Sequence, residues 1–403
     1  KEAMKKTSQL IITAFAVLVS LTAQSAPTNE QIMEMMMDLK QEIAELKKEN
    51  QKLKGDVEEV VEVTDEAIKS QMKLSNKSTF GGYGELHGNW LEDQKGVSDV
   101  DEVDFHRFVL FFNHEYSDKL RFVSEVEIEH SYVGDGTSGY VELEQAYVEY
   151  DLTGSTSISA GLFLIPVGLL NQTHEPDTFY GVERNDVEKN IIPTTWWESG
   201  AMVTAELAQG LSLKGAISTG LKAKDTEVNI RDGRQKSSKA KAESFAYTAN
   251  LEYTAIPGVR LGGTINYQED FQNGGTVDAG GAILTEIHAD ITQGPYRLRA
   301  LYANWDLEGN APEANGADEQ KGWYIEPSYK VNEELGFFVR YATWDNTSGS
   351  GSATNTEYQQ TNIGLNWWID PQVVFKVDYQ DQDVGAGISK ELDGLNLGVG
   401  YSF

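Results

Sequence analysis

The residues best placed to act on a solute lie in one stretch, 166–197, PVGLLNQTHEPDTFYGVERNDVEKNIIPTTWW. It carries Glu175, Asp177, Glu183, Asp186 and Glu188 against Arg184 and Lys189. A second set, Arg107, Arg121, Lys214, Arg260, Arg297, Arg299 and Arg340, recurs at positions that alternate with apolar residues. Opposed zones of fixed charge across a narrow aqueous path set up a strong field. Such a field orders water and disfavours apolar solutes, while small ions and polar solutes pass. That is selection rather than bond making, and groups for bond making are scarce. The chain has no cysteine, which removes disulfides, thiolate metal sites and thiol nucleophiles. Its six histidines (87, 106, 114, 130, 174 and 288) are scattered. No nucleophile elbow, zinc-type histidine pair or phosphate-binding glycine loop is present. The sequence therefore predicts no enzyme, no cofactor and no metal site, and a net charge of −30 argues against nucleic acid as a partner.

The elements that must position these charges read as strands. From Phe80 onward the apolar period is 2. In 119–132, Leu120, Phe122, Val126, Ile128 and Tyr132 alternate with Lys119, Arg121, Glu125, Glu127 and Glu129. Tight turns at 117–119, 153–155, 208–210, 256–258, 293–295, 332–334 and 370–372 alternate with long polar loops, of which 166–196 is the longest. Seven tight turns join fourteen strands, and one strand at each end brings the number to about 16. An even count, with short turns at one end and long loops at the other, is the plan of an outer-membrane β-barrel. A charge on the lipid face costs ~2–4 kcal/mol near the midplane, so the charged rows must face a wet lumen. This accounts for the low mean hydropathy of −0.42. Tyr150, Tyr253, Tyr296, Tyr329 and Tyr401 stand beside the short turns, where an aromatic girdle belongs. A soluble sandwich or propeller would share the alternation, but not the one-sided loop lengths.

Ahead of the barrel (80–403) the sequence reads as three segments. Residues 1–25 hold a short apolar run after Lys5 and Lys6 that ends in small residues, the pattern of an export signal. Residues 26–60 carry heptads, with Met36, Ile43, Asn50 and Val57 at a and Ile32, Leu39, Leu46, Leu53 and Val60 at d. In a parallel oligomer Glu42 reaches Lys47, Glu49 reaches Lys54, and a buried Asn50 sets register. The alternative is one amphipathic helix lying on another surface. The seam composition by itself favours two strands. Residues 61–79 read as a linker.

Three segments, AYVEY at 146–150, GLFLIPVGLL at 161–170 and the closing GVGYSF, resemble the phosphate-selective porin O/P family and its coiled-coil-bearing relatives. The resemblance covers roughly 80–403. It implies a homotrimer in the bacterial outer membrane, with the coil in the periplasm; in a competing reading, motivated by the coil itself, the barrel is an anchor and the coil grips the cell wall. It also implies that the third outer loop, 166–196, folds inward to set the narrowest point. Tyr401 and Phe403 would then form the address read by the barrel-assembly machinery. The family's arginine ladder and lysine cluster are missing from this net acidic loop, which points to a general diffusion pore for small ions and hydrophilic solutes rather than a phosphate-specific one. Two further loops stand out: the acidic 92–104 reads as a solvated loop, with divalent cations shared with lipopolysaccharide phosphates as the alternative, and the basic 222–241 as a loop that touches those phosphates or draws anions toward the mouth. For the loop at 166–196 the alternative is an exposed segment with solvated charges. For each wall arginine it is a partner among the lumen carboxylates.

Overall fold

A computed structural model describes residues 77–403, apart from 224–227, 275–278, 350 and 353, and 29–54, apart from 31, 32, 35, 36, 39 and 53. The expected export signal and most of the linker lie outside the described residues. The described positions between 29 and 54 are helical, with Ile43 and Leu46 exposed on the single chain. They form a unit separate from 77–403.

The second unit is a barrel of sixteen strands. It opens with β1 (Ser78–Asp93), β2 (Val100–Ser117), β3 (Leu120–Glu129) and β4 (Tyr140–Thr153). There follow β5 (Thr156–Leu164), β6 (Trp197–Ala208), β7 (Leu211–Thr219), β8 (Phe245–Tyr253) and β9 (Val259–Gln268). Next come β10 (Ala279–Gln293), β11 (Tyr296–Gly309), β12 (Glu319–Lys330) and β13 (Leu335–Asp345). The last three are β14 (Tyr358–Asp370), β15 (Val373–Val384) and β16 (Leu392–Ser402). Each strand pairs antiparallel with its sequence neighbours, and β1 closes on β16. The strand count and the alternation of short and long connections are those read from the sequence. The first strand starts at Ser78, inside the expected linker.

The pleat separates the faces as the period predicts. Ile217, Leu251, Ile265, Ile287, Ile363 and Tyr379 are exposed on the outside. Glu85, Asn250, Asn266, Glu286, Asn362 and Asn396 are buried within. A lumen needs such partners, and the rows supply them: Asn250 Nδ2 donates to Thr264 Oγ1 at 3.0 Å, and Asn266 Nδ2 to Thr248 Oγ1 at 2.7 Å. At the seam Gly82 N donates to Phe403 O at 3.0 Å, and Phe403 N returns a bond to Gly82 O at 2.9 Å. The Phe403 ring lies over Gly82 and the Tyr401 ring over Gly84, where a Cβ would collide with each ring.

The lumen is not empty. The connection 165–196, here L3, lies inside the barrel and forms an apolar core with one side of the wall. Ile165, Val167, Leu169, Val187, Ile191, Ile192 and Trp196 pack with Leu284, Leu301, Trp305, Tyr324 and Trp344 of β10–β13. Residues 220–244, here L4, add Leu221, Ala223, Val228 and Ile230 to the same core. The apolar side of L3 is thus committed to β10–β13. Its polar groups meet β1 and β2 on one side and β14–β16 on the other.

Candidate functional site

L3 contains one short helix, α1 (Asp186–Asn190). Asn185 caps it by accepting from Glu188 N at 2.9 Å. Glu188 is fully buried, and its carboxylate gathers four donors. Leu169 N lies 2.6 Å and Leu170 N 2.7 Å from Oε1, while Asn185 Nδ2 at 2.9 Å and Tyr324 Oη at 3.1 Å donate to Oε2. Gly168, at φ +68°, brings the chain so close that a Cβ there would meet Glu188 Oε1. Glu188 is therefore a strut of the loop fold and not a charge offered to solute.

Most of the other loop acids are occupied in the same way. Asp177 Oδ2 accepts from Ser402 Oγ at 3.0 Å, so the loop descends to the short-turn rim. Asp186 accepts from Gln360 Nε2 at 2.9 Å. Enclosure raises the Asp186 carboxyl above its ordinary range, only partly opposed by Lys189. Enclosure would also raise Glu183, but His87, 3.0 Å away, and then Lys189 hold it below the usual carboxylate range. Glu175 sits in the loop with Oε2 unpartnered.

The predicted wall cations all point inward, but none stands free. Arg107 pairs with Glu85 at 2.5 Å and donates through Nη2 to His174 O at 2.8 Å. Arg299 pairs with Asp290 and donates to Thr178 O at 2.9 Å. Arg340 pairs with Glu326 at 2.7 Å and donates to Tyr180 O at 2.5 Å. Lys214 Nζ reaches Gln172 Oε1 at 2.5 Å. Nearer the short turns, Arg121 binds Glu149 and Asp151, Arg260 binds Glu252 and Arg297 binds Asp290. Lys376, which the sequence reading did not single out, donates to Gly181 O at 2.9 Å. These cations neutralise wall carboxylates and hold L3 by its carbonyls.

In the cavity between L3, L4 and the β1–β4 wall the charge arrangement is the reverse of the expectation. A cavity of about 100 Å³ is lined on one side by Arg184, Lys189, Arg231, Arg234 and Lys236. Glu85, Glu127, Glu129, Glu142 and Glu144 of β1, β3 and β4 line the other. The loops are net cationic here although Glu183 of L3 also lines the space, paired with His87; Asp186 and Glu188 are taken up by the wall and by loop amides, and Lys236 pairs across with Glu142 at 2.7 Å. The wall is acidic because its arginines lie elsewhere or are paired. One glutamate arrives by an irregularity: β4 carries an extra residue opposite Glu125/Val126, and Glu144 is the one left unpaired.

Arg231 and Arg234 come from the loop that the sequence reading turned outward. Arg231 Nη1 donates to Lys189 O at 2.7 Å and Thr194 O at 2.6 Å; Arg234 Nη1 donates to Pro193 O at 3.2 Å and Thr195 O at 2.6 Å. Arg184 Nη1 donates to Thr195 Oγ1 at 2.8 Å. Burial, then the Arg234 and Arg184 charges, press Arg231 down to about 9, so it stays cationic at neutral pH. Their one sequence signal was excess positive charge in an acidic chain, which does not reveal direction.

This throat shares His87, His106, Glu183 and Lys189 with a cavity of about 340 Å³ toward the long-loop end. Phe179 also lines a cavity of about 710 Å³ at the short-turn end. His87 and His106 stack at 4.6 Å where the upper space narrows.

An apolar-faced sixteen-strand barrel with a charged lumen and an inward-folded loop defines an outer-membrane porin. The chain belongs to the phosphate-selective porin O and P family, whose profile matches residues 81–386. An uncharacterized protein of Aquifex aeolicus (strain VF5) is 29% identical over 345 residues, or 76% of each chain. The outer membrane channel DcaP of Acinetobacter baumannii aligns with a TM-score of 0.58 at 14% identity, over 81% of this chain and 97% of that one. An anion-selective porin from Comamonas acidovorans aligns at 0.58 and 11% identity, over 81% and 99%. OmpT of Vibrio cholerae, in a trimer form, aligns at 0.54 and 12% identity, over 81% and 100%. These likenesses to solved structures are likenesses of fold.

Proposed function

We propose that the protein is a passive diffusion porin for small ions and hydrophilic solutes, with its constriction set by L3 and L4 against the β1–β4 wall. The observation that carries the reading is the throat itself. Fixed cations and fixed carboxylates share the lining of a space of about 100 Å³, with larger spaces toward either end. A transverse field there aligns permeating water and polar solutes, while an apolar solute gains nothing to offset displaced water. The reconstituted protein in a planar bilayer should give ohmic channels. A well-folded barrel without conductance would overturn the reading.

A second reading, anion or phosphate selectivity, draws on Arg184, Arg231 and Arg234, whose hydrogen bonds among the described residues go to hydroxyl or carbonyl oxygens. The facing glutamates oppose tight phosphate binding. Reversal potentials in potassium chloride and potassium phosphate gradients separate the two readings.

We also infer a homotrimer assembled by the barrel-assembly machinery through Tyr401 and Phe403. In it the heptads of 26–60, with Asn50 and the Glu42–Lys47 and Glu49–Lys54 pairs, form a parallel periplasmic coil reaching toward peptidoglycan. The exposure of Ile43 and Leu46 on a single helix supports such a seam. In the competing tether reading, that coil is the working part and the barrel only an anchor. The bilayer measurement decides that question as well.

A further inference from the structure

Beside the throat, where L3 meets β3 and β4, Glu125, Glu144 and His174 converge with their candidate ligand atoms all within 4.8 Å of one another. All three are buried. Neither Glu144 oxygen has a hydrogen-bond partner, and neither does His174 Nε2. A fully buried carboxylate without a donor is costly unless it is neutralised or a positive charge faces it.

The imidazole alone does this poorly. Nε2 stands 3.6 Å from Glu125 Oε1 and 3.5 Å from Glu144 Oε2. Charge-assisted N–H···O bonds close to about 2.7–2.9 Å, and these have not. Two donor atoms on one tetrahedral zinc ion, each at about 2.0–2.1 Å, stand about 3.4 Å apart. Both separations from Nε2 are close to that spacing, and the carboxylate oxygens lie within 4.8 Å of one another.

The surroundings point the same way. His174 Nδ1 lies 3.2 Å from Asn171 O, which fixes the Nδ1–H tautomer and presents Nε2 to the carboxylates. Gln145 Nε2 donates to Glu125 Oε2 at 2.7 Å, and Tyr83 Oη to Oε1 at 3.4 Å. Arg107 also stands beside the cluster, but its Nε is spent on Glu85, its Nη1 on Tyr83 Oη and its Nη2 on the His174 carbonyl. Glu127, opposite Glu142 on β4, adds a further carboxylate from the same wall. Glu144 borders the throat, on whose side a water molecule would complete the shell.

We propose that Glu125, Glu144 and His174 bind a divalent transition-metal ion, of which Zn2+ fits the donor set best, and that the ion pins L3 to the β3–β4 wall. One imidazole and two carboxylates suit zinc better than magnesium or calcium, which prefer all-oxygen shells. The site would fasten the descending limb of the loop at the level of the constriction.

The folded, purified barrel, stripped with chelator and equilibrated with micromolar Zn2+ at pH 7.5, should retain one zinc per chain by elemental analysis. Glu144→Gln and His174→Gln should each weaken retention at least 100-fold. Glu142→Gln, in the same cavity but outside the triad, should leave it unchanged. No zinc on the wild-type barrel, or full retention by both triad variants, overturns the proposal. If a variant lacks heat-modifiable mobility and so has not folded, zinc-edge X-ray absorption on the wild type decides. One imidazole in the first shell supports the site. An all-oxygen shell or two imidazoles overturns it.

Discussion

Replacing Glu188 with Gln changes one atom of a fully buried side chain and tests whether L3 is a built element or a draped one. All four partners of the carboxylate are donors. If the glutamine oxygen keeps the two backbone amides, those bonds lose their charge assistance. Each falls from about 1.5–3 to about 0.5–1.5 kcal/mol, a loss of roughly 1 kcal/mol apiece. The new NH2 then faces Tyr324, whose hydroxyl can turn to accept, and Asn185 Nδ2, which cannot. The Asn185 amide is held because its oxygen caps α1. That clash of donors costs about 1–3 kcal/mol more. The sum is about 3–5 kcal/mol, and every 1.4 kcal/mol is a factor of about ten. Hydrogen exchange at the Leu169 and Leu170 amides, if it proceeds by local opening of the loop, should therefore speed up by about 100-fold or more. Exchange in the barrel strands should be unaffected, and single-channel recordings should become noisier. Rates at Leu169 and Leu170 within threefold of wild type would refute the strut assignment.

Three other outcomes follow from the geometry. Arg340→Met removes one half of a buried pair and leaves Glu326 unpaired, which should cost about 3–5 kcal/mol. Adding Glu326→Gln should restore part of it, as read from the temperature at which the folded band is lost. Lys189→Glu, an exposed residue at the lip shared by the throat and the upper cavity, should shift the reversal potential in a salt gradient toward cation preference; no shift would remove Lys189 from the ion path. Deleting Phe403 breaks the two seam bonds to Gly82 and lifts a ring from Phe108, worth about 1–3 kcal/mol together. Loss of folded protein from the outer membrane far beyond that figure supports an assembly role, and near-normal levels argue for a packing role alone.

The barrel was legible because its rules are local. A period of 2 and turn residues at fixed intervals do not depend on distant partners, so β1–β16 could be counted from the chain. The length of 166–196 marked the exceptional loop for the same reason. The charges of that loop were misread because their partners are distant or are not side chains. Glu188 binds amides of residues 169 and 170, and Arg231 binds carbonyls of 189 and 194. No alternation rule foresees backbone atoms as the preferred ligands of arginine. One sign was available: Asn185 followed three residues later by Glu188 is a helix-start pattern and marks both as structural. The inward course of L4 and the extra residue that exposes Glu144 to the throat had no comparable mark. Both follow from how the closed barrel packs.

Arg107, Arg299, Arg340 and Lys376 grip L3 at the carbonyls of His174, Thr178, Tyr180 and Gly181. A carbonyl is the same whatever side chain it accompanies, so this mooring does not read the loop's spelling. At those points the barrel holds a path and leaves most of the lettering along it open. Lineages descended from such a chain could rewrite the residues that meet the solute while keeping the course of the filter. Diversification of permeability would then proceed by exchanging words in a sentence whose grammar is kept by the wall.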